Sequence, residues 1–372
     1  MTGRPSPSTL PPRLRAMDVP GLRRELAAWY GGPQGVQYYH NAIVLGQQEL
    51  CPPGPPQQAA GQLAAAEAAR LSTGDLWYID EDLCALLNAA HPSMPAFAPR
   101  PADLPSQTGF AVFAEPIATY PAEVTRQGTA GDLVEVLATT GGEEFRDAAE
   151  RMYSDSATIV AVSWGPVENP HWAAGGLWMS FYAASQLHFG DILRDDPAAA
   201  RRAQAMLPPL TVDNEAAIAW RPDGAPANRY QLPHASAATA GTLSWARLVF
   251  ATFQLAAQAN LAETERQPTP RPERRRTQRA GLPERDVRIV RLRRGLADQR
   301  AAAQPAGAGG REWRHRWVVR GHWRNQWYPS LGDHRPKWIA PYLKGPDDAP
   351  LLGGEKVTVV TAPPQQDDVS QQ

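Results

Sequence analysis

The chain has little cysteine, little lysine and no long apolar run. Only Cys51 and Cys84 occur among 372 residues, which is too few for a disulfide framework or a four-cysteine zinc site. No apolar run approaches the roughly 18 residues of a membrane span. Residues 1–18 also lack the apolar core of a secretion signal. We therefore expect a cytoplasmic protein with two free thiols and no membrane partner.

Common catalytic signatures are missing as well. The sequence contains no GxxxxGK[ST], GxGxxG, GxSxG or HExxH pattern, so the familiar phosphate-loop, dinucleotide, hydrolase and zincin functions have no support. Adjacent acids such as Glu143 and Glu144 point apart and are better interpreted as solvated residues. We therefore assign no catalytic residue, no metal ligand and no cofactor.

The charges that are present are divided between two blocks. Residues 266–345 carry twenty basic and six acidic residues, a net charge of +14, whereas residues 1–265 carry sixteen basic and twenty-seven acidic residues, a net charge of −11. Clustered cations gain free energy by releasing counterions when they bind phosphates. The basic block therefore predicts a polyanionic partner, most often nucleic acid. Neutralisation by the acidic block of the same chain is the alternative.

Hydrophobic periodicity predicts an α+β protein. Helical spacing is found after Asp18, after Asp80 and over residues 241–265, and residues 57–71 form an alanine-rich helix. We expect Asp80, Glu81 and Asp82 to cap their helix, and Pro268, Pro270 and Pro272 to end the long one. Residues rich in β-branched and aromatic side chains predict strands at 110–115, 158–164 and 177–182. Residues 132–138 fit either a strand or a helix.

These elements predict five segments. They are an arm with a short helix (1–56), an acidic mixed α/β body with a central sheet (57–265), a basic linker (266–285), a small antiparallel β domain (286–361) and a disordered tail (362–372). Within the β domain we expect strands at 286–293, 313–324, 337–342 and 356–360, with a turn at 325–333.

The β domain alternates tryptophan and arginine. One face of the strand at 313–324 carries Trp313, Trp317 and Trp323, which form either core or an aromatic platform, and we expect Trp327 and Trp338 to stack across the hairpin. The opposite face is a basic ladder. Arginine and tryptophan together suit single-stranded RNA or DNA, whose bases stack on rings and guanidinium planes. The predicted nucleic-acid-binding residues are Arg314, Arg316, Arg320, His322, Arg324, Arg335 and Lys337, together with Arg274, Arg275 and Arg276 of the linker.

The run RHRWVVRGHWRNQWYPSLGDHRPKWIAPYLKGP, preceded by VRIVRLRR, resembles a poorly characterised family of actinobacterial genomes, phages and plasmids. The family is distantly similar to an anti-CRISPR protein directed at type V-A systems. The likeness is carried by His315, Val319, Gly321, His322, Trp323, Trp338 and Pro341, and more weakly by residues 104–113. It implies a non-enzymatic adaptor, which in the anti-CRISPR case lowers synthesis of the CRISPR nuclease by engaging it during translation.

The sequence therefore predicts a mobile-element regulator with two kinds of partner. The basic β domain would bind nucleic acid, RNA in preference, or a ribonucleoprotein, and the acidic body would bind a protein. One alternative is a metal-dependent nuclease that uses His322, His334 and Asp333. Another is a phage structural or interaction protein.

Overall fold

The computed structural model describes residues 14–44, 51–95, 97–119, 158–167, 174–184, 208–224, 242–293, 316–344 and 346. It divides into two compact units, one formed by Met1–Leu296 with His322–Ile339 and the other by Ala297–Gly321 with Ala340–Gln372. No helix within the described ranges is long and apolar enough to cross a membrane. Both cysteines are free, as expected, with Cys51 exposed and Cys84 buried.

The described α-helices are α1 (Val19–Tyr30), α2 (Pro33–Val44), α3 (Pro56–Thr73), α4 (Glu81–Ala90), α5 (Thr242–Ala256) and α6 (Arg271–Arg279). The sequence predicted α1 and α4 because their apolar residues recur every three or four positions, and α3 because it is rich in alanine. Leu22 and Leu26 of α1 are buried. The Asp80 carboxylate accepts a hydrogen bond of 3.2 Å from the Asp82 amide, which confirms that Asp80 caps α4, while Glu81 and Asp82 lie in its first turn.

The described strands are β1 (Asp75–Ile79), β2 (Gly109–Phe113), β3 (Ala118–Thr119), β4 (Thr158–Val167), β5 (Gly176–Ala184), β6 (Leu210–Ala219), β7 (Ala262–Gln267), β8 (Val287–Leu292), β9 (Trp317–Val319), β10 (His322–Tyr328), β11 (Asp333–Ile339) and β12 (Tyr342–Lys344). The central sheet has the order β6-β5-β4-β2-β1-β8-β7, and β3 pairs with β4. Strands β2, β1 and β8 are parallel and the other pairs are antiparallel. With helices and a mixed sheet, the protein is α+β, as predicted.

Helices pack on both faces of this sheet. A core cluster joins α1, α2 and α3 to one face and includes Phe110 and Tyr182. On the opposite face, Phe181 meets Trp245 of α5 with ring centroids 5.4 Å apart. The Trp164 ring lies so close to Gly109 that a Cβ at Gly109 would overlap it. Both faces are therefore covered, as a sheet with a parallel centre requires.

The long helix predicted over residues 241–265 is wrong at its C-terminal end. Helix α5 ends at Ala256, and the chain then forms strand β7. The prolines after β7 begin helix α6 instead of closing a helix. Proline is tolerated in the first helical turn, where its missing N–H has no partner to lose. Glu273 in the first turn and Arg279 in the last turn also favour the helix dipole.

Strand β8 does not belong to a C-terminal β domain, which corrects the sequence interpretation. It lies inside the central sheet, parallel to β1 and antiparallel to β7. Val287, Ile289 and Val290 are all buried. The predicted linker at 266–285 likewise contains the end of β7 and all of α6. Sequence alternation identified the strand but could not identify its neighbours, because strand pairing is a long-range property.

The single strand expected at 313–324 is also corrected. Within the described part of that range, β9 ends at Val319 and β10 begins at His322. The expected turn is shorter than predicted, because β10 runs to Tyr328 and β11 starts at Asp333. Gly332 adopts φ +58° at this turn, a conformation that favours glycine. Residues 132–138, 313–315, 356–360 and 362–372 lie outside the described residues.

Candidate nucleic-acid interface

The hairpin of β10 and β11 is anchored on the body of its own unit. Trp323 and Trp338 are directly opposite each other in the ladder, are buried, and meet edge-on with centroids 5.4 Å apart. The Trp323 indole donates a hydrogen bond of 2.8 Å to the Ala90 carbonyl at the end of α4. These two tryptophans are therefore core residues and are not a platform for bases.

Arg335 was predicted to bind nucleic acid, and the structure corrects this. Its side chain is only 4% exposed and forms an ion pair with Asp103. It also donates to the Ala98 carbonyl at 2.9 Å, and its guanidinium lies 5.5 Å from the Phe97 ring centroid. The charge pattern left open whether acids of residues 1–265 neutralise the basic block. They do so for Arg335. Arg335 holds the hairpin on the segment between α4 and β2.

Two other cations of the hairpin remain accessible. Arg324 is exposed and Lys337 is half-buried, and the ladder places them directly opposite each other. Like charges opposite each other destabilise a strand pair. Neither residue forms an ion pair with an acid in the described part of the chain. An anion that bound between them would relieve their repulsion. His322 is exposed on the same face of the ladder.

Trp327 is the exposed aromatic residue of the hairpin. It is 46% exposed, and its ring meets His334 with centroids 4.9 Å apart. The predicted stacking of Trp327 on Trp338 is wrong, because the register pairs Trp327 with His334 and Trp338 with Trp323. Trp327 thus retains an accessible ring surface on which an unpaired base can stack.

The second unit contains the rest of the predicted basic ladder. Arg316 is half-buried and Arg320 is exposed. Strands β9 and β12 pair antiparallel, and the Lys344 ammonium lies 5.9 Å from the Trp317 ring centroid. Trp313 and Arg314 lie outside the described residues.

The arginines predicted in the linker lie on helix α6 and differ in their partners. Arg274 forms an ion pair of 2.8 Å with Glu284, and Arg276 forms one of 3.3 Å with Glu273. Arg275 is exposed. Arg274 and Arg276 are therefore paired with acids and Arg275 is available, because neighbouring residues of the run lie on different faces of the helix.

The proposed nuclease ligands do not come together. His322 lies five positions along the ladder from Trp327, the partner of His334, which corresponds to about 17 Å. The two histidines also occupy opposite faces, and Asp333 is bound by Arg100 at 3.2 Å. Across the described ranges, no group of three His, Cys, Asp or Glu side chains is arranged to hold a metal ion.

Sequence reasoning missed a buried polar cluster between α3 and the sheet. Glu67 is fully buried and accepts hydrogen bonds from the Ser163 hydroxyl at 2.8 Å, from the Ser180 hydroxyl at 2.7 Å, and from the Tyr182 hydroxyl. Arg70 forms an ion pair with the same carboxylate. These hydrogen bonds and the ion pair compensate much of the free-energy cost of burying the two charges.

The cluster continues across three strands. Ser163, Ser180 and Glu215 are register neighbours on β4, β5 and β6. Glu215 accepts hydrogen bonds of 3.0 Å from the Tyr39 hydroxyl and 3.2 Å from the Trp178 indole. One signal was available in the sequence: Glu67 and Arg70 are the charged residues of the otherwise uncharged helix α3, three positions apart. Residues three apart on a helix are neighbours, so the spacing indicates that Glu67 and Arg70 can pair on one face of α3.

The cluster makes stability depend on pH. Burial alone would raise the pKa of Glu67, but the charge of Arg70 and hydrogen bonds from Tyr182, Ser180 and Arg70 outweigh it and hold the pKa below its ordinary value. A depressed carboxyl pKa contributes stability that is fully present above the unfolded pKa and is lost as pH falls through the folded pKa. We expect the urea concentration at the unfolding midpoint to decrease as the pH is lowered below the ordinary pKa of a glutamate carboxyl, and to decrease less steeply in Glu67→Gln. Parallel pH profiles for the two proteins would contradict this assignment.

The comparisons with known proteins add no further assignment. No family model matches the chain, and neither a curated protein nor a solved structure matches it significantly.

Proposed function

We propose that this protein is a non-enzymatic nucleic-acid-binding regulator that contacts phosphates through Arg324 and Lys337 of the β10–β11 hairpin. The observation that carries the proposal is the direct opposition of these two cations in the ladder without an acidic partner in the described residues. Cations that repel one another at an accessible surface favour a shared anionic ligand.

A second feature, the exposed ring of Trp327 on the opposite face of the hairpin from Arg324 and Lys337, favours single-stranded nucleic acid. Bases of a single strand stack on aromatic side chains, and this is worth about 1–3 kcal/mol per base. RNA is the preferred ligand in this proposal, because loops and single strands are its usual recognition targets. The hairpin is held on a folded body by Trp323 and Arg335, so its cations are presented in a fixed arrangement.

A protein partner is the second part of the proposal. Residues 1–265 carry a net charge of −11, which suits a partner with a basic surface and disfavours a second nucleic-acid site in that block. This division of roles agrees with the adaptor that the sequence resemblance implies.

The test is the salt dependence of binding to a fluorescein-labelled single-stranded RNA of about 20 nucleotides, measured by fluorescence anisotropy. Each phosphate contact contributes roughly 0.7 to the slope of log K against log salt concentration for a single strand. We therefore expect Arg324→Gln/Lys337→Gln to lower the slope by about 1.4. The matched control is Arg15→Gln/Arg221→Gln, which removes two exposed arginines already paired with Asp18 and Asp223.

The control variant should keep the slope of the natural protein. Equal slopes for the hairpin variant and the natural protein would reject Arg324 and Lys337 as contacts. If the natural protein does not bind RNA or DNA at low salt, the proposed function is wrong.

A further inference from the structure

Helix α6 separates its arginines between two faces. Glu273 and Thr277 are buried, and α6 packs against α1. Arg271, Arg275 and Arg279 are all exposed. They are spaced by four residues, so at about 100° per residue they fall on the face opposite Glu273 and Thr277. We call these three residues the α6 ridge.

The arginines beside the α6 ridge are already neutralised. Glu273 pairs with Arg24 at 2.6 Å and with Arg276 at 3.3 Å, and Arg274 pairs with Glu284 at 2.8 Å. Burial would raise the pKa of Glu273, but its hydrogen bonds with Arg24 and Arg276 hold it below the ordinary value. In contrast, no residue of the ridge forms an ion pair with any described acid. Three uncompensated charges thus follow one another over about 12 Å of helix.

The ridge is presented on a well-supported helix. The Thr269 hydroxyl just before α6 donates a hydrogen bond of 2.7 Å to the Arg285 carbonyl before β8. The Leu282 amide after the helix donates one of 3.1 Å to the Thr277 carbonyl. The ion pair between Arg24 and Glu273 connects α6 to α1. Because the backbone is fixed at both ends, binding at the ridge requires ordering only of the arginine side chains.

We propose that the α6 ridge binds the phosphate backbone of a nucleic acid, as a second contact surface besides the hairpin. Arginine binds phosphate oxygens through two parallel N–H donors, and evenly spaced cations suit a ligand with evenly spaced anions. A protein partner fits less well, because protein interfaces have an apolar or aromatic core, whereas the exposed helix residues beside the ridge are Pro272, Arg276 and Gln278. The identity of the polyanion rests on the proposed function; the position of the contact is independent of it.

The experiment uses the full chain and the same labelled RNA over about 50 to 400 mM salt. We expect Arg271→Gln/Arg275→Gln/Arg279→Gln to lower the slope of log K against log salt by about 2, since three phosphate contacts are lost. The internal control is the comparison of two neighbouring positions. Arg275→Gln should lower the slope by about 0.7, whereas Arg276→Gln should leave it unchanged because that charge is neutralised by Glu273. All substituted residues of the ridge are exposed, so thermal unfolding should confirm that the variants are folded.

The outcomes separate the two proposals. A ridge variant with the natural slope overturns the ridge contact, whether or not the hairpin variant weakens binding. A lower slope in the ridge variant with an unchanged slope in the hairpin variant supports the ridge and rejects the hairpin. Equal competition by poly-glutamate of the same total charge would overturn the assignment of the ridge to nucleic acid.

Discussion

Replacing Glu67 with alanine is expected to lower the free energy of unfolding by about 3–5 kcal/mol, the usual cost of removing one partner of a buried ion pair. Arg70 would remain buried without its counter-charge, and the hydroxyls of Ser163, Ser180 and Tyr182 would lose their acceptor. Urea denaturation followed by far-UV circular dichroism measures the change. Few single substitutions have so large an effect, because most cost less than about 3 kcal/mol.

The control for this prediction is Glu25→Ala on helix α1. Glu25 is also paired with an arginine, Arg24, at 3.3 Å, but its side chain is 54% exposed. A solvent-exposed pair of this kind contributes about 0–1 kcal/mol. If Glu67→Ala costs no more than Glu25→Ala, the buried cluster does not stabilise the fold in the way the contacts indicate.

Replacing Asp103 with asparagine is expected to release the hairpin from the body. Asp103 is the main counter-charge of the buried Arg335, and it also accepts a hydrogen bond of 3.0 Å from Gln254 of α5. Arg335 would then be buried with only the more distant Asp333, at 3.9 Å, as a counter-charge. Losing the main partner of a buried charge costs about 3–5 kcal/mol, which favours local undocking of the hairpin. Exchange of the Trp323 indole hydrogen, now bound to the Ala90 carbonyl, should become at least about 100-fold faster, since a factor of ten corresponds to about 1.4 kcal/mol.

A double substitution distinguishes the ion pair from general damage. Asp103→Asn/Arg335→Met removes both charges and should cost less than the sum of the single changes, because a buried pair can be replaced by neutral groups at little net cost. Arg291→Gln is the surface control, since Arg291 and Glu265 are 46% and 60% exposed. Additive single changes, or indole exchange as slow as in the natural protein, would refute the role of Asp103.

The local elements of this fold follow from local patterns. Leu22 and Leu26 mark the buried side of α1, and Asp80 caps α4 through a contact two residues away. Enrichment in β-branched and aromatic residues identified β2, β4 and β5, and alternation identified β8, because both are local properties of the sequence. The charge division between residues 1–265 and 266–345 is likewise a property of the sequence alone.

Part of the candidate interface was also visible in the sequence. Tryptophan and arginine alternation identified the segment that contains Arg324, Lys337 and Trp327, and the arginine run identified the basic segment that forms α6, although it was predicted to be a linker. The sequence did not distinguish available from neutralised cations. Arg275 and Arg276 are neighbours with different environments, and the pairing of Arg335 with Asp103 joins residues 232 positions apart.

By itself, then, the sequence determined the positions of α1, α3, α4 and several strands, which block is basic, and that the fold is α+β. Only the tertiary structure decided that β8 lies inside the central sheet, that Arg335 is buried, and that Glu67 meets Ser163, Ser180 and Tyr182. The physical reason is the distance along the chain over which each interaction acts. Helix periodicity, caps and alternation act within a few residues, whereas strand neighbours and buried ion pairs depend on contacts between distant segments.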